Sequence, residues 1–318
     1  MNAQNTNSAL ICGSIAFDTI MVFQDRFKAH ILPDKIHMLN VSFLVPQLRR
    51  EFGGCAGNIA YNLKLLGDTG HPMATAGRDF APYAEWMVQT GVPADHIKVI
   101  ESEHTAQAFI TTDLDDNQIT AFHPGAMQHS HLNSVADARN IAIGIVAPDG
   151  REGMVQHAAE FSVAGVPFIF DPGQGLPMFG GGELRSFIEQ ASWVAVNEYE
   201  WQLLQDRTKL SAPEVAARVK ALIVTRGAQG SVIYADGREI AIPAAKPLGL
   251  VDPTGCGDAY RAGLLHGLLH GRDWETTGRI ASLMGCIKIE SRGTQNHKFS
   301  RADFQSRYRE SFGRALDF

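Results

Sequence analysis

The feature that most constrains the fold is a series of short apolar runs that alternate with helix-like segments. The runs lie at residues 9–12, 141–146, 166–170, 193–196 and 222–224. Strands that are apolar throughout are typical of a parallel sheet covered on both faces. The sequence therefore predicts an α/β fold with a mostly parallel central sheet and helices on both faces. Ligands of such folds collect beyond the carboxyl ends of the strands, which makes candidates of three residues that follow runs: Asp171, Asn197 and Thr225.

Two regions break this alternation. Residues 15–50 contain two β-rich segments without a convincing helix between them, and residues 106–122 are typical of a hairpin with its turn at 113–117. These strands are interleaved with α/β segments instead of forming their own block. We therefore expect one domain over residues 1–318, with an antiparallel flap, a small β-sheet lid, inserted at about 15–50 and 105–125.

Composition excludes several classes of protein. The 28 Lys and Arg residues against 34 Asp and Glu give a net charge of −6, so no broad cationic surface is available for nucleic acid or an anionic membrane. The polar N-terminus lacks Lys and Arg, and no apolar stretch approaches the roughly 20 residues of a membrane span. The four cysteines form no C-x-x-C pair. A cytoplasmic protein is expected.

The most specific motif lies in residues 250–264. An extended segment and a proline turn precede Gly-Cys-Gly-Asp, and leucines at helical spacing follow. The amides of Gly255, Cys256 and Gly257 would point from the positive end of this helix, where an anion can approach the glycine backbone. Asp258 would lie beside that anion and accept a proton from a hydroxyl group. The alternative is a first-turn carboxylate that only offsets the helix dipole.

A second glycine-rich motif, at residues 52–67, precedes another predicted helix that ends at Gly67. Gly53 and Gly54 would let a polyhydroxylated ligand lie against the backbone, and Asn58 would bind one of its hydroxyl groups. Taken alone, this motif is more typical of a tight turn followed by a polar residue in the helix.

Together the two motifs resemble the signatures of the PfkB (ribokinase-like) carbohydrate kinase family, most of all its nucleoside and adenosine kinase branch. Gly-Gly-x-x-x-Asn at 53–58 resembles the family's substrate loop, and Asp-x-Thr-Gly-x-Gly-Asp at 252–258 resembles its phosphoryl-transfer site. The segments 13–18, 197–200 and 225–230 resemble its first strand, its Asn-x-x-Glu segment and its nucleotide loop. These five matches follow the family order and span nearly the whole chain.

The resemblance implies a ribokinase-like fold and ATP-dependent phosphorylation of a hydroxyl group, with Mg²⁺ as cofactor. Asp258 would be the general base, and the amides of residues 255–257 would hold the transferred phosphoryl group. The residues implied for the acceptor are Asp18, Gly53, Gly54 and Asn58; for ATP, Asn197, Thr225, Gly227 and Gly230; for Mg²⁺ through water, Glu200; and for a monovalent cation such as K⁺, Asp252 and Thr254.

The acceptor has to be inferred from the flap. Phe-His-Pro-Gly-Ala-Met at 122–127 offers aromatic and soft apolar surface for stacking a base, and this segment and residues 293–297 resemble bacterial and archaeal nucleoside kinases of the family. We expect Phe122 and Gln107 to contact the base of adenosine, inosine or guanosine, phosphorylated on the 5′-hydroxyl. Alternatively, these residues pack the flap onto the body or form a homodimer through the lid. A ribokinase- or fructokinase-type sugar kinase and a non-catalytic ligand sensor are the competing functions.

Three further features receive ordinary interpretations. Cys256 at a helix N-terminus is a conceivable nucleophile, but no histidine suggests itself as its base. His266 and His270 have the spacing of metal ligands, but without a further ligand nearby in the sequence a structural or exposed pair is expected. Arg261 is expected to be a packing or surface residue of its helix.

Overall fold

The structure is a computed structural model that describes residues 8–31, 40–115 and 117–317. Among these residues, no helix is both long enough and apolar enough to cross a bilayer. The strands are β1 (Ser8–Cys12), β2 (Ala16–Val22), β3 (Gln47–Gly53), β4 (Thr69–Gly77), β5 (His96–Ile100), β6 (Ala106–Thr112), β7 (Gln118–His123), β8 (Ile143–Val146), β9 (Phe168–Phe170), β10 (Trp193–Asn197), β11 (Ala221–Thr225), β12 (Ser231–Ala235) and β13 (Arg238–Ile242).

Ten α-helices connect these strands or cover them, within the described ranges. They are α1 (Phe27–His30), α2 (Cys55–Leu65), α3 (Ala81–Thr90), α4 (Arg151–Ala164), α5 (Gly181–Gln190), α6 (Glu198–Thr208), α7 (Ala212–Ala216), α8 (Cys256–Leu269), α9 (Trp274–Ile289) and α10 (Arg301–Phe312).

The main sheet has nine strands in the order β13-β12-β11-β10-β9-β8-β1-β4-β5. Its strands are parallel except at β12 and β13, which form an antiparallel hairpin at one edge. Successive residues point to opposite faces, so Ile11 and Ile145 join one apolar cluster while Leu10 and Val146 join another. The predicted parallel sheet with helices on both faces is confirmed.

The second, smaller sheet has the order β3-β2-β6-β7. Here β3 and β7 pair antiparallel to their neighbours, but the central pair β2 and β6 is parallel, which corrects the expected antiparallel flap. The reason is topological: β2 and β6 follow β1 and β5 through short connections, and those parallel strands end at the same edge of the main sheet. Two parts of the predicted lid region, residues 32–39 and Asp116 of the predicted turn, lie outside the described residues.

Two helices, α2 and α8, bring the sequence motifs together. Each begins after a glycine with positive φ, Gly54 at 84° and Gly255 at 79°, so each chain segment turns sharply into its helix. The helices pack against each other, and both apolar faces belong to the same core cluster. Their N-termini therefore face the same region, between the main sheet and the small sheet.

Candidate active site

The loop at the start of α8 contains backbone amides without an acceptor among the described residues. The amide of Cys256 donates to the carbonyl oxygen of Pro253 at 3.2 Å, whereas those of Gly255 and Gly257 donate to no acceptor in the described part of the chain. A Cβ atom added at Gly257 would meet no atom within 4 Å, so packing does not explain this glycine. Unpaired amides at a helix N-terminus beside a residue without a side chain provide an anion-binding site.

Asp258 lies in the first turn of α8, half-buried, and its Oδ2 atom accepts a hydrogen bond from Nδ2 of Asn58 at 2.8 Å. Burial raises the pKa of this carboxyl to about 7, with nearby Asp171 and Asp18 acting in the same direction. The hydrogen bond from Asn58 opposes this rise. A carboxylate with a pKa near neutrality is suited to accept a proton.

A buried hydrogen-bond chain fixes Asn58. Its Oδ1 atom accepts from Nε2 of Gln295 at 3.0 Å, and the same nitrogen donates to the hydroxyl of Tyr83 at 2.6 Å. Trp86 donates to Oε1 of Gln295 at 2.9 Å. Asn58 was predicted to bind a ligand hydroxyl, and in the structure it donates a hydrogen bond that orients Asp258. Gln295 was not identified as a site residue, although the segment that contains it was singled out.

One face of the small sheet carries Asp18 toward Asp258. Glu51 pairs with Asp18 on one side, and Ala108 pairs with it on the other and leads to Phe122, so these side chains share one face. Burial raises the pKa of Asp18 to about 6, with Asp252 and Glu51 adding to the rise. The alternation of β3 could have revealed Glu51, which lies two residues before Gly53.

Gln107 lies on the other face of this sheet. It pairs with Phe17, and its Nε2 atom donates to Oγ1 of Thr19 at 2.6 Å. Because side chains alternate along a strand, Gln107 points away from the face that carries Asp18 and Phe122. The structure contradicts the expectation that Gln107 contacts the acceptor.

The loop before α2 needs glycines for close approach. A Cβ atom at Gly53 would lie 2.7 Å from Oδ2 of Asp18, and one at Gly54 would lie 2.5 Å from the carbonyl oxygen of Ser14. Both distances are far below ordinary contact, so these glycines hold the loop against β2 and the turn before it.

On the other side of Asp258, β10 and β11 end in register at Asn197 and Thr225. Asn197 caps α6, because its Oδ1 atom accepts from the amide of Glu200 at 2.8 Å and its own amide donates to the Glu200 carboxylate at 2.7 Å. Gly227 faces open space at a φ of 53°, whereas a Cβ at Gly230 would lie 2.0 Å from the last carbonyl of β13. Gly230 thus shapes this loop, and Gly227 is free to contact a ligand.

Arg261 and Asp171 form a buried ion pair, with Nη2 2.9 Å from Oδ1 and each side chain less than a tenth exposed. Arg261 was expected to be a packing or surface residue, and the buried ion pair corrects that expectation. Asp171, a candidate because it follows a strand, is the partner of Arg261 in this pair. Burial and Asp171 raise the pKa of nearby Glu200, while Arg261 opposes them. Carboxylate oxygens in this setting fit Mg²⁺, which prefers oxygen ligands and keeps several waters.

The predicted monovalent-cation site contains a lysine. The carboxylate of Asp252 accepts from the amides of Thr254 and Gly293 at 3.0 and 2.9 Å. The ammonium of fully buried Lys288 donates to the carbonyl oxygen of Asp252 at 2.7 Å and to that of Ser291 at 3.1 Å. Because a positive charge already occupies these carbonyls, the arrangement does not fit K⁺.

The thiol of Cys256 is not activated. Burial raises its pKa to about 11, even though Lys288 acts to lower it. A thiol with this pKa is protonated near neutral pH and is a poor nucleophile. Cys256 therefore contributes its backbone to the loop, and its thiol does not act as a nucleophile.

Comparisons with known proteins agree with this geometry. The model of the pfkB family carbohydrate kinases matches residues 16–300. A nucleoside kinase of Methanocaldococcus jannaschii is 32% identical over 260 residues, covering 81% of this chain and 85% of that protein. The structure of Burkholderia thailandensis nucleoside kinase in complex with inosine has a TM-score of 0.88 at 52% identity, covering 96% of this chain and 99% of that one. Its complex with ADP-inosine has a TM-score of 0.87 at 54% identity, covering 97% of each chain.

The family match spans most of the chain. The chain belongs to the pfkB family of carbohydrate kinases, within its ribokinase-like nucleoside kinase branch.

Proposed function

We propose that the protein is an ATP-dependent nucleoside kinase that phosphorylates the 5′-hydroxyl of a ribonucleoside such as inosine, adenosine or guanosine. The observation that carries this proposal is Asp258, held by Asn58 beside the unpaired amides of Gly255 and Gly257. Similarity to a nucleoside kinase in complex with inosine supports a nucleoside over a simple sugar as the acceptor.

The chemistry follows from the two parts of this site. Asp258 accepts the proton of the 5′-hydroxyl while the 5′-oxygen bonds to the γ-phosphorus of ATP. The bond between that phosphorus and the bridging oxygen of ADP breaks, and ADP leaves. The amides of Gly255 and Gly257 stabilise the charge on the phosphoryl oxygens, which is the main requirement of phosphoryl transfer.

On the acceptor side, Asp18, Asn58 and the backbone at Gly53 and Gly54 bind the ribose hydroxyls, and Phe122 stacks on the base. Phe122 is 52% exposed in the absence of a ligand and shares the sheet face of Asp18. An exposed aromatic ring next to polar groups suits an amphipathic ligand such as a nucleoside.

On the nucleotide side, Asn197, Thr225 and Gly227 contact ATP, and Gly230 holds the shape of their loop. Glu200 would hold Mg²⁺ through water, and the ion would supply positive charge that neutralises the ATP phosphates. Lys288 supplies the positive charge that K⁺ would otherwise bring to Asp252 and Thr254.

The small sheet acts as a lid on a single domain, built from segments near 15–50 and 105–125. Closure over the acceptor would exclude water from the γ-phosphoryl group and limit ATP hydrolysis. A homodimer through this lid stays a prediction.

The test is an acceptor panel in which ADP release is measured with inosine, adenosine, guanosine, ribose, fructose and fructose 6-phosphate. We expect a nucleoside to give the highest kcat/KM and mass spectrometry to identify the 5′-monophosphate. The matched control is 5′-deoxyinosine, which should bind but release no ADP. Rapid turnover of ribose without nucleoside turnover would favour a sugar kinase, and no release with any acceptor would favour a ligand sensor.

A further inference from the structure

Away from the candidate active site, one aspartate and two histidines meet where the end of α2 contacts the end of α8. Oδ2 of Asp68 is 2.7 Å from Nδ1 of His266, and Oδ1 is 2.9 Å from Nε2 of His270. One ligand atom from each residue, an oxygen of Asp68 and a nitrogen of each histidine, lies within 4.8 Å of the other two. The histidine pair expected to be structural or exposed has a third partner, Asp68, which the fold supplies from a segment about 200 positions away.

Two of the three side chains are buried. The side chains of Asp68 and His266 are each 4% exposed, and that of His270 is 31% exposed. Within the described ranges, these histidines are the basic groups that contact the carboxylate of Asp68.

We propose that Asp68, His266 and His270 form a structural Zn²⁺ site. Two imidazole nitrogens and one carboxylate oxygen are a donor set that suits Zn²⁺. Zinc bonds of about 2.0–2.1 Å place tetrahedral ligand atoms roughly 3.3 Å apart. The three ligand atoms, which now lie within 4.8 Å of one another, would therefore draw together around one oxygen of Asp68. The exposed side of His270 leaves room for water as the fourth ligand.

The ion would join the two helices that carry the candidate active site. Helix α2 begins at the acceptor loop and α8 begins beside Asp258, whereas the cluster lies at the opposite ends of both helices. A rise of about 1.5 Å per residue places His266 roughly 12 Å along the helix from Asp258. Zinc therefore stabilises the packing of α2 on α8 and takes no part in phosphoryl transfer.

The experiment titrates Co²⁺, a spectroscopic substitute for Zn²⁺, into the tag-free, nucleotide-free protein after treatment with a chelator. We expect one Co²⁺ per chain, visible bands typical of four-coordinate cobalt without a thiolate charge-transfer band, and displacement by Zn²⁺. Zinc should also raise Tm, because a ligand that binds only the folded state stabilises it. His270→Gln and Asp68→Asn should each weaken binding at least tenfold.

The matched control is His129→Gln, which removes an exposed histidine near His131 and should leave the affinity unchanged. His270→Gln changes a half-exposed side chain, so it keeps the test decisive if Asp68→Asn fails to fold. Absence of stoichiometric binding, a thiolate band, or wild-type affinity in His270→Gln would overturn the zinc site.

Discussion

At the scale of single residues, Asp258 is subject to opposing influences. Burial raises its pKa to about 7, and the hydrogen bond from Asn58 pulls the pKa in the other direction. At neutral pH such a group combines a large ionised fraction with appreciable proton affinity, as a general base requires. The surroundings of this aspartate therefore matter as much as its presence in the motif.

This balance predicts the pH dependence of catalysis. Because the base must be ionised, kcat/KM should rise with pH and level off above about 7. Asn58→Ala removes a hydrogen bond to the ionised carboxylate of Asp258, which raises the pKa of Asp258. The rise of kcat/KM should therefore move to higher pH, and the plateau value of kcat/KM should fall. Asn296→Ala, which breaks a bond to Glu51 instead, is the control and should leave this rise in place. An unshifted rise in Asn58→Ala would contradict this role.

Lys288 leads to a prediction about salts. Since its ammonium already binds the carbonyl oxygens of Asp252 and Ser291, activity should be the same in K⁺ and in Na⁺ at equal ionic strength. Lys288→Met should lower kcat, and K⁺ or NH₄⁺ should restore part of it by entering the freed site. Circular dichroism and Tm check that the variant folds. Strong activation of the unmodified protein by K⁺ would contradict the interpretation.

At the scale of elements, the glycines before α2 and in α8 have different tasks. A Cβ at Gly54 would clash with backbone at a φ of 84°, whereas one at Gly257 would meet nothing within 4 Å. Gly54→Ala should therefore lower the free energy of unfolding by about 1–3 kcal/mol. Gly257→Ala should change it by less than about 0.5 kcal/mol while kcat falls at least tenfold.

Thermal unfolding and steady-state kinetics of the two variants separate these tasks. A strongly destabilised Gly257→Ala, or one with full activity, would show that this residue serves packing and not a phosphoryl group.

The features that were predictable from sequence are local ones. The turns at Gly54 and Gly255 and the proximity of Asp258 to a helix start each follow from a few adjacent residues. The partners of these groups are distant in the chain: Gln295 bonds to Asn58 from 237 positions away, and the Arg261–Asp171 pair spans 90 positions. Such contacts depend on how elements pack, which local patterns do not encode.

Gln107 was wrongly predicted to contact the base because the sequence does not show which face of the sheet its side chain lies on. Both faces of the small sheet carry mixed polar and apolar residues, so alternation along β6 does not reveal which face meets the ligand. The parallel pairing of β2 with β6 was missed for a related reason, since it depends on where the main-sheet strands end.

At the scale of the whole molecule, the site has a cost in stability. The raised pKa of Asp258 means that its charged form is disfavoured in the folded state, so this group lowers stability as pH rises from about 4 toward 7. Asp258→Asn should raise the free energy of unfolding at pH 8 by an amount on the order of 2 kcal/mol, allowing for partial exposure. The gain should shrink as pH falls toward about 4 and vanish at lower pH, where both states hold the proton.

Asp252→Asn is the matched comparison, and its effect on stability should have the opposite sign to that of Asp258→Asn. Although burial acts to raise the pKa of Asp252, hydrogen bonds from the amides of Thr254 and Gly293 leave it below its ordinary value. This carboxylate therefore stabilises the fold above about pH 4, and its contribution is lost as pH falls further. Denaturant unfolding at several pH values measures both variants, and parallel stability curves for the two would contradict these assignments.

The most direct test of the central claim is single-turnover phosphoryl transfer from ATP to inosine, compared between the unmodified protein and Asp258→Asn. We expect transfer to slow by about 10³-fold, from loss of the base, while the Kd for inosine changes less than tenfold. An Asp258→Asn protein that retains more than a tenth of the transfer rate would show that Asp258 only caps its helix.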